Sequence, residues 1–280
     1  MIIFVLFNRM KVHVTKISAS AIRIREQIPN IYRYFDLLNL LAPQVAGVDE
    51  EVTGHVFHKI EARSVDFKYD QEFILNDVNF EACAGDRILI QGPSGQGKST
   101  FLEILCGILP PSNGVVLYDG NCLDEEFFYK VRPLIAYVSP TVYLFQDTLR
   151  ENLVMGMPIE EKKLDRALKL SRLDEMVAEL PDGLDSFIGI DGDNLSLGQR
   201  QRVILARLYL KNPRLVLLDE ATANLDLELE NQIIENLLSF LDPQSILVMV
   251  AHKEPKGMPF NKRFIMENGS LMPAAFSSSA

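Results

Sequence analysis

Between residues 87 and 108 the chain carries a pattern that few folds can accommodate. Arg87-Ile-Leu-Ile-Gln91 reads as a buried strand, Gly92-Pro-Ser-Gly-Gln-Gly-Lys-Ser99 as a glycine-rich loop, and Phe101 to Ile108 as an apolar helix. The loop fits G-x-x-x-x-G-K-[ST] in the strand–helix setting that gives this motif a physical meaning. Glycines let successive backbone N–H groups turn inward around a phosphate, and the following helix N-terminus adds partial positive charge. Lys98 is placed to neutralise β- and γ-phosphate charge, and the Ser99 hydroxyl to ligate Mg²⁺. The candidate nucleotide-binding residues are therefore Gly92, Pro93, Ser94, Gly95, Gln96, Gly97, Lys98, Ser99 and Thr100.

Leu215-Val-Leu-Leu-Asp-Glu220 is an apolar strand that ends in two acids. Open α/β sheets bind ligands at the carboxyl ends of their strands, which is where these carboxylates emerge. Asp219 is expected in the Mg²⁺ shell, and Glu220 as the general base that polarises the attacking water. Leu134 to Ser139 and Ile246 to Ala251 are further strand candidates. Strands alternating with helices predict a mostly parallel sheet covered on both faces. The stretch from about Val142 to Asn194 has no strong strand signal beyond its edges, and Glu160 to Glu179 reads as helix, so a helical insertion is expected there.

Charge divides the chain. The net charge is −10, yet residues 1–40 hold six basic groups against two acids, or +4, which leaves −14 for the rest. The acidic majority argues against generic nucleic-acid binding, which needs basic surface to release counterions. Cys83, Cys106 and Cys122 are too few and too irregularly spaced for a disulfide framework or a zinc site. Apolar residues 1–7 as a helix reach only about 10 Å, against roughly 20 residues needed to cross a bilayer. The basic groups follow that stretch instead of preceding it, which does not fit a signal peptide. Ile17, Ala21, Ile24, Ile28, Ile31, Phe35 and Leu38 form an apolar stripe at helical spacing, with a break expected before Pro29. Residues 1–40 are thus expected as a helical arm, 41–53 as a linker and 273–280 as a flexible tail.

Upstream of the acidic strand stands Leu195-Ser-Leu-Gly-Gln-Arg-Gln-Arg202, which runs into a helix-like Val203 to Leu210. With this segment the chain resembles the nucleotide-binding domain of an ATP-binding cassette (ABC) transporter, whose signature is L-S-G-G-Q. Other landmarks stand in family order over about residues 54–272. Tyr69 matches the aromatic that stacks on adenine, and Ala223-Asn-Leu-Asp226 the loop after the second acid. His252 matches the histidine that senses the γ-phosphate, and Pro181-Asp-Gly-Leu-Asp185 is typical of exporters. The resemblance implies a P-loop NTPase core with an antiparallel β subdomain and an inserted helical subdomain at about 142–195. It implies ATP hydrolysis with Mg²⁺, with Lys98, Glu220 and His252 catalytic and Ser99 and Asp219 on the metal. It also implies a second cassette as partner, in a homo- or heterodimer, with Ser196, Gly198 and Gln199 reaching ATP across the interface. A cytoplasmic position beside exporter membrane helices follows in the same way. The arm then resembles the cytoplasmic end of a last transmembrane helix, whose companions come from another chain, from sequence before Met1, or not at all.

Two positions depart from the family pattern. Leu197 replaces the first signature glycine. Pro140 stands third after Tyr137, where the family usually has glutamine. Proline has no side-chain donor or acceptor and takes a different backbone path. Slow hydrolysis is the expectation; the alternative is a nucleotide-gated dimerisation switch or degenerate regulatory cassette with little turnover. DNA-maintenance relatives carry long coiled-coil insertions, but only 97 residues separate Lys98 from Leu195. The cargo stays open, because transport specificity lies in membrane helices.

Overall fold

A computed structural model describes residues 57–69, 72–189, 192 and 194–274. The arm, the linker and tail residues 275–280 lie outside the described residues. Two sheets organise the rest. One has four strands in the order β2-β1-β4-β5, from β1 (Lys59–Tyr69), β2 (Glu72–Cys83), β4 (Asn113–Tyr118) and β5 (Asn121–Cys122), all pairings antiparallel. The other has six strands in the order β10-β9-β3-β8-β7-β6, from β3 (Arg87–Gln91), β6 (Ile135–Val138), β7 (Leu215–Asp219), β8 (Ile246–Val250), β9 (Lys262–Glu267) and β10 (Ser270–Pro273). Only the β9–β10 hairpin at its edge is antiparallel.

The residue types explain the difference between the sheets. β1 alternates core and solvent positions, with Ile60, Ala62, Val65 and Phe67 buried, as a sheet with one wet face requires. Every residue of β7 and β8 is buried, because helices cover both faces of the parallel sheet. Each large apolar side chain so buried contributes about 1.5–3 kcal/mol.

Seven α-helices are described. They are α1 (Lys98–Leu105), α2 (Glu125–Val131), α3 (Leu149–Val154), α4 (Glu161–Leu170), α5 (Asp174–Glu179), α6 (Leu197–Lys211) and α7 (Leu227–Phe240). The helix expected over Glu160 to Glu179 is two helices, α4 and α5. Ser171 caps the first by donating to Ala167 O at 2.8 Å, and Arg172 turns left-handed at φ 58. Competition of a serine side chain for helix carbonyls is a local break signal. α1 also starts earlier than the apolar pattern suggested, at Lys98, because Gly97 supplies its N-cap at φ 94.

The helical insertion is fastened to α6 by two arginines of that helix, Arg202 donating to the Arg172 carbonyl and Arg207 to Asn152. Arg207 Nε donates to Asn152 O at 2.7 Å, and Asn152, itself fully buried, bonds Phe145 through both its amide nitrogen and its carbonyl. Burial lowers the Arg207 guanidinium to about 10, which leaves it charged at neutral pH.

Candidate functional site

The phosphate loop is a turn that protein atoms close from behind. Gly92 has φ +146, and a Cβ there would lie 2.1 Å from the Met266 carbonyl oxygen of β9. Gly97 has φ +94, and its Cβ would meet Leu75 Cδ2 at 2.8 Å and Ile74 O at 2.9 Å, both on β2. The Asn268 N–H donates to Gln96 Oε1 at 2.6 Å, tying the loop to the β9–β10 turn. Gly95, by contrast, has φ +76 with no protein atom within 4 Å of a Cβ. The loop is thus backed by two sheets and open at its tip. Lys98 is 6% exposed, and its ammonium donates to Gly92 O at 2.9 Å and Pro93 O at 2.7 Å. That places a cation inside the curve of the loop.

The Ser99 hydroxyl, on the first turn of α1, favours the ionised carboxylate of Asp219 at the end of β7. Asp219 is 1% exposed. Burial pushes its carboxyl above the usual aspartate range, while the hydroxyls of Ser99 and Tyr137 and the charge of Lys98 pull the other way. A hydroxyl and an under-compensated carboxylate, both hard oxygen donors, fit a divalent cation. Among the described residues no group of three or more His, Cys, Asp or Glu side chains could hold a metal alone. The donor set therefore suits an ion that keeps waters and takes its other ligands from phosphate, as Mg²⁺ does.

Glu220 follows in a left-handed conformation, φ 50, with its N–H donating to Val250 O at 3.0 Å. A non-glycine residue pays about 1–2 kcal/mol for that conformation. The turn carries the Glu220 carboxylate to His252, whose Nε2 lies 3.0 Å from Glu220 Oε1. His252 is held in turn by Gln91, whose side-chain amide donates to the His252 carbonyl at 3.5 Å. Two groups singled out from the sequence, 32 positions apart, therefore meet beside the phosphate loop.

The remaining expected residues lie apart from this cluster. Ser196 caps α6 in a reciprocal box: Gln199 N–H donates to Ser196 Oγ at 3.2 Å, and Ser196 N–H to Gln199 Oε1 at 2.7 Å. A Cβ on Gly198 would approach Asn224 O at 3.2 Å, so the signature touches the loop after Glu220. Among the described residues no hydrogen bond or ion pair joins Ser196, Gly198 or Gln199 to the phosphate loop. Leu197 is 44% exposed at the start of α6. Asp226 caps α7, accepting from Leu229 N–H at 2.9 Å. Tyr69 ends β1, half exposed, edge-on to Phe67 with centroids 4.9 Å apart. Pro140 is exposed, and the next N–H, of Thr141, donates to Ser139 Oγ at 3.2 Å. A cavity of about 250 Å³ opens beside that loop, lined by Tyr143, Met155, Ile204, Arg207 and Lys211 among others.

Sequence reasoning missed Tyr137 as a partner of Asp219, along with the packing of Met266 and Ile74 on the loop glycines. The signal for Tyr137 was a polar-tipped aromatic inside an otherwise apolar strand.

The family model described as ABC transporter matches residues 75–223. The chain belongs to the ABC transporter family. The match covers the phosphate loop, the signature and both acids of the β7 edge. An uncharacterized ABC transporter ATP-binding protein, YwjA, of Bacillus subtilis (strain 168) is 39% identical over 69% of this chain and 34% of its own length. An ATP-dependent lipid A-core flippase of Burkholderia thailandensis is 36% identical over 76% of the chain and 36% of the flippase. A multidrug resistance ABC transporter ATP-binding and permease protein of Lactococcus lactis subsp. lactis is also 36% identical, over 76% of this chain. A bacterial Atm1-family ABC exporter solved with ATP bound superposes with a TM-score of 0.73 at 31% identity, covering 78% of this chain and 38% of the exporter. The chain spans about a third of the length of these relatives. The ABC region is an exporter-type nucleotide-binding domain, a domain that binds ATP, and cassettes of this family are ATPases. No helix among the described residues is long and apolar enough to cross a membrane.

Proposed function

We propose that this chain is the ATP-hydrolysing part of an exporter-type ABC transporter, working at the cytoplasmic face of a membrane. ATP lies along the phosphate loop with its adenine on Tyr69. Lys98 exchanges the Gly92 and Pro93 carbonyls for phosphate oxygens, a gain in charge-assisted bonding. Ser99 and Asp219 hold Mg²⁺. The bound ion screens the phosphate oxygens and steadies charge that develops during transfer. Glu220 takes the proton of the attacking water, and His252 holds that carboxylate while contacting the γ-phosphate. The observation that carries this reading is the 3.0 Å Glu220–His252 contact one residue beyond Asp219.

Ser196, Gly198 and Gln199 serve the ATP of a second cassette. Their separation from the phosphate loop of their own chain supports a head-to-tail pair in which each member completes the other's site. The cavity beside Pro140 receives the membrane domain, whose movement follows closure and reopening of the pair. Glu220→Gln tests the reading. ATP binding should persist within about threefold, while turnover falls at least about 100-fold, the usual span for a lost general base. Unchanged turnover sinks it.

A second reading, a dimerisation switch with little turnover, is favoured by Pro140 alone. An exposed proline puts no donor on the loop between the cavity and β6.

A further inference from the structure

The Asp219 carboxylate is held from two directions, and one of them lies outside the motifs. β6 and β7 run parallel with Tyr137 beside Leu217 and Val138 beside Leu218. Residues two apart share a face of a strand, so Tyr137 and Asp219 are diagonal neighbours on one face, a gap that a phenol can span. The Tyr137 hydroxyl donates to Asp219 Oδ2 at 3.2 Å, while the Ser99 hydroxyl on α1 also favours the ionised carboxylate. At 1% exposure Asp219 depends on protein donors to fix its plane.

A donor fixed on one carboxylate oxygen sets the rotamer and leaves the remaining lone pairs for a cation or its water. Pro140, three residues further along, has no side-chain donor to share the task. We propose that Tyr137 is a positioning residue for the divalent-cation–nucleotide site, its hydroxyl fixing the Asp219 carboxylate in the orientation that meets the cation bound with ATP. This rests on the reading of Asp219 as the cation ligand.

The test is Tyr137→Phe in the 280-residue chain, since Phe keeps the ring and removes only the donor. ATP binding is measured calorimetrically in EDTA and then across a Mg²⁺ titration, with melting in EDTA alongside. Affinity in EDTA should stay within about twofold of wild type. The Mg²⁺ concentration that gives half of the metal-dependent strengthening should rise about tenfold, the low end for loss of an outer-shell partner. An unchanged Mg²⁺ requirement overturns the inference. So does an equal loss of affinity with and without Mg²⁺, or melting lowered by more than about 5 °C, roughly 1–2 kcal/mol in a domain of this size, because the hydroxyl is then structural. If wild-type affinity is itself indifferent to Mg²⁺, the reading of Asp219 fails first and the inference falls with it.

Discussion

Gly97→Ala separates two roles that glycines have in the phosphate loop. At Gly97 the backbone is left-handed, φ +94, and a methyl group would lie 2.8 Å from Leu75 Cδ2 and 2.9 Å from Ile74 O. The leucine tip can rotate away, but the carbonyl belongs to β2 and moves only with the sheet. The left-handed conformation costs an alanine about 1–2 kcal/mol. Forcing a methyl group into filled space adds about 1–3 kcal/mol. Together these come to about 2–5 kcal/mol. Each kcal/mol lowers Tm by about 2–4 °C in a domain of roughly 200 residues, so the nucleotide-free protein should melt on the order of 10 °C lower. Gly95→Ala is the matched control. Its φ is +76, yet no protein atom lies within 4 Å of the added carbon. Only the conformational cost applies, and Tm should fall by about 3–6 °C. Circular-dichroism melts of the two variants in EDTA decide the matter. Equal melting points would refute the argument that β2 closes the loop from behind.

Three further outcomes are expected. Asp219→Asn removes a carboxylate whose ionised form is penalised by burial, so the Mg²⁺-free protein should melt higher than wild type at pH 7. With the folded value raised, this group favours folding below its ordinary 3.8 and loses that contribution as pH rises through the raised value. The gap between variant and wild type should therefore shrink on acidification, and a gap that widens would count against it. Ser196→Ala removes the cap that Gln199 N–H uses, costing about 1 kcal/mol of stability. It should also weaken ATP-dependent self-association, read by light scattering. Pro140→Gln should raise the turnover of the assembled transporter severalfold; if the variant is no faster, Pro140 is not the limitation.

Much of the site was legible because its chemistry is carried by local patterns. The strand before the phosphate loop, the two acids of Leu215 to Glu220 and the capped signature helix all lie in short segments, where side-chain period and turn residues govern backbone shape. The strand boundaries at β3, β6, β7 and β8 fall within a residue of the apolar runs. Glu160 to Glu179 reads as helix throughout because helical period continues across Ser171 to Leu173, while the break depends on how Ser171 and Arg172 settle their hydrogen bonds.

What the sequence alone determined was the kind of chemistry: a loop for phosphates, acids at a strand's carboxyl end, and a histidine after the last core strand. Only the tertiary structure decided which of these groups touch. Parallel register places Tyr137 diagonally to Asp219, and adjacency of β7 and β8 brings Glu220 to His252. The order β9-β3 presses Met266 onto Gly92. Those contacts join residues 32 to 174 positions apart. Sheet order and packing set them, and no local preference of either partner encodes the other's position.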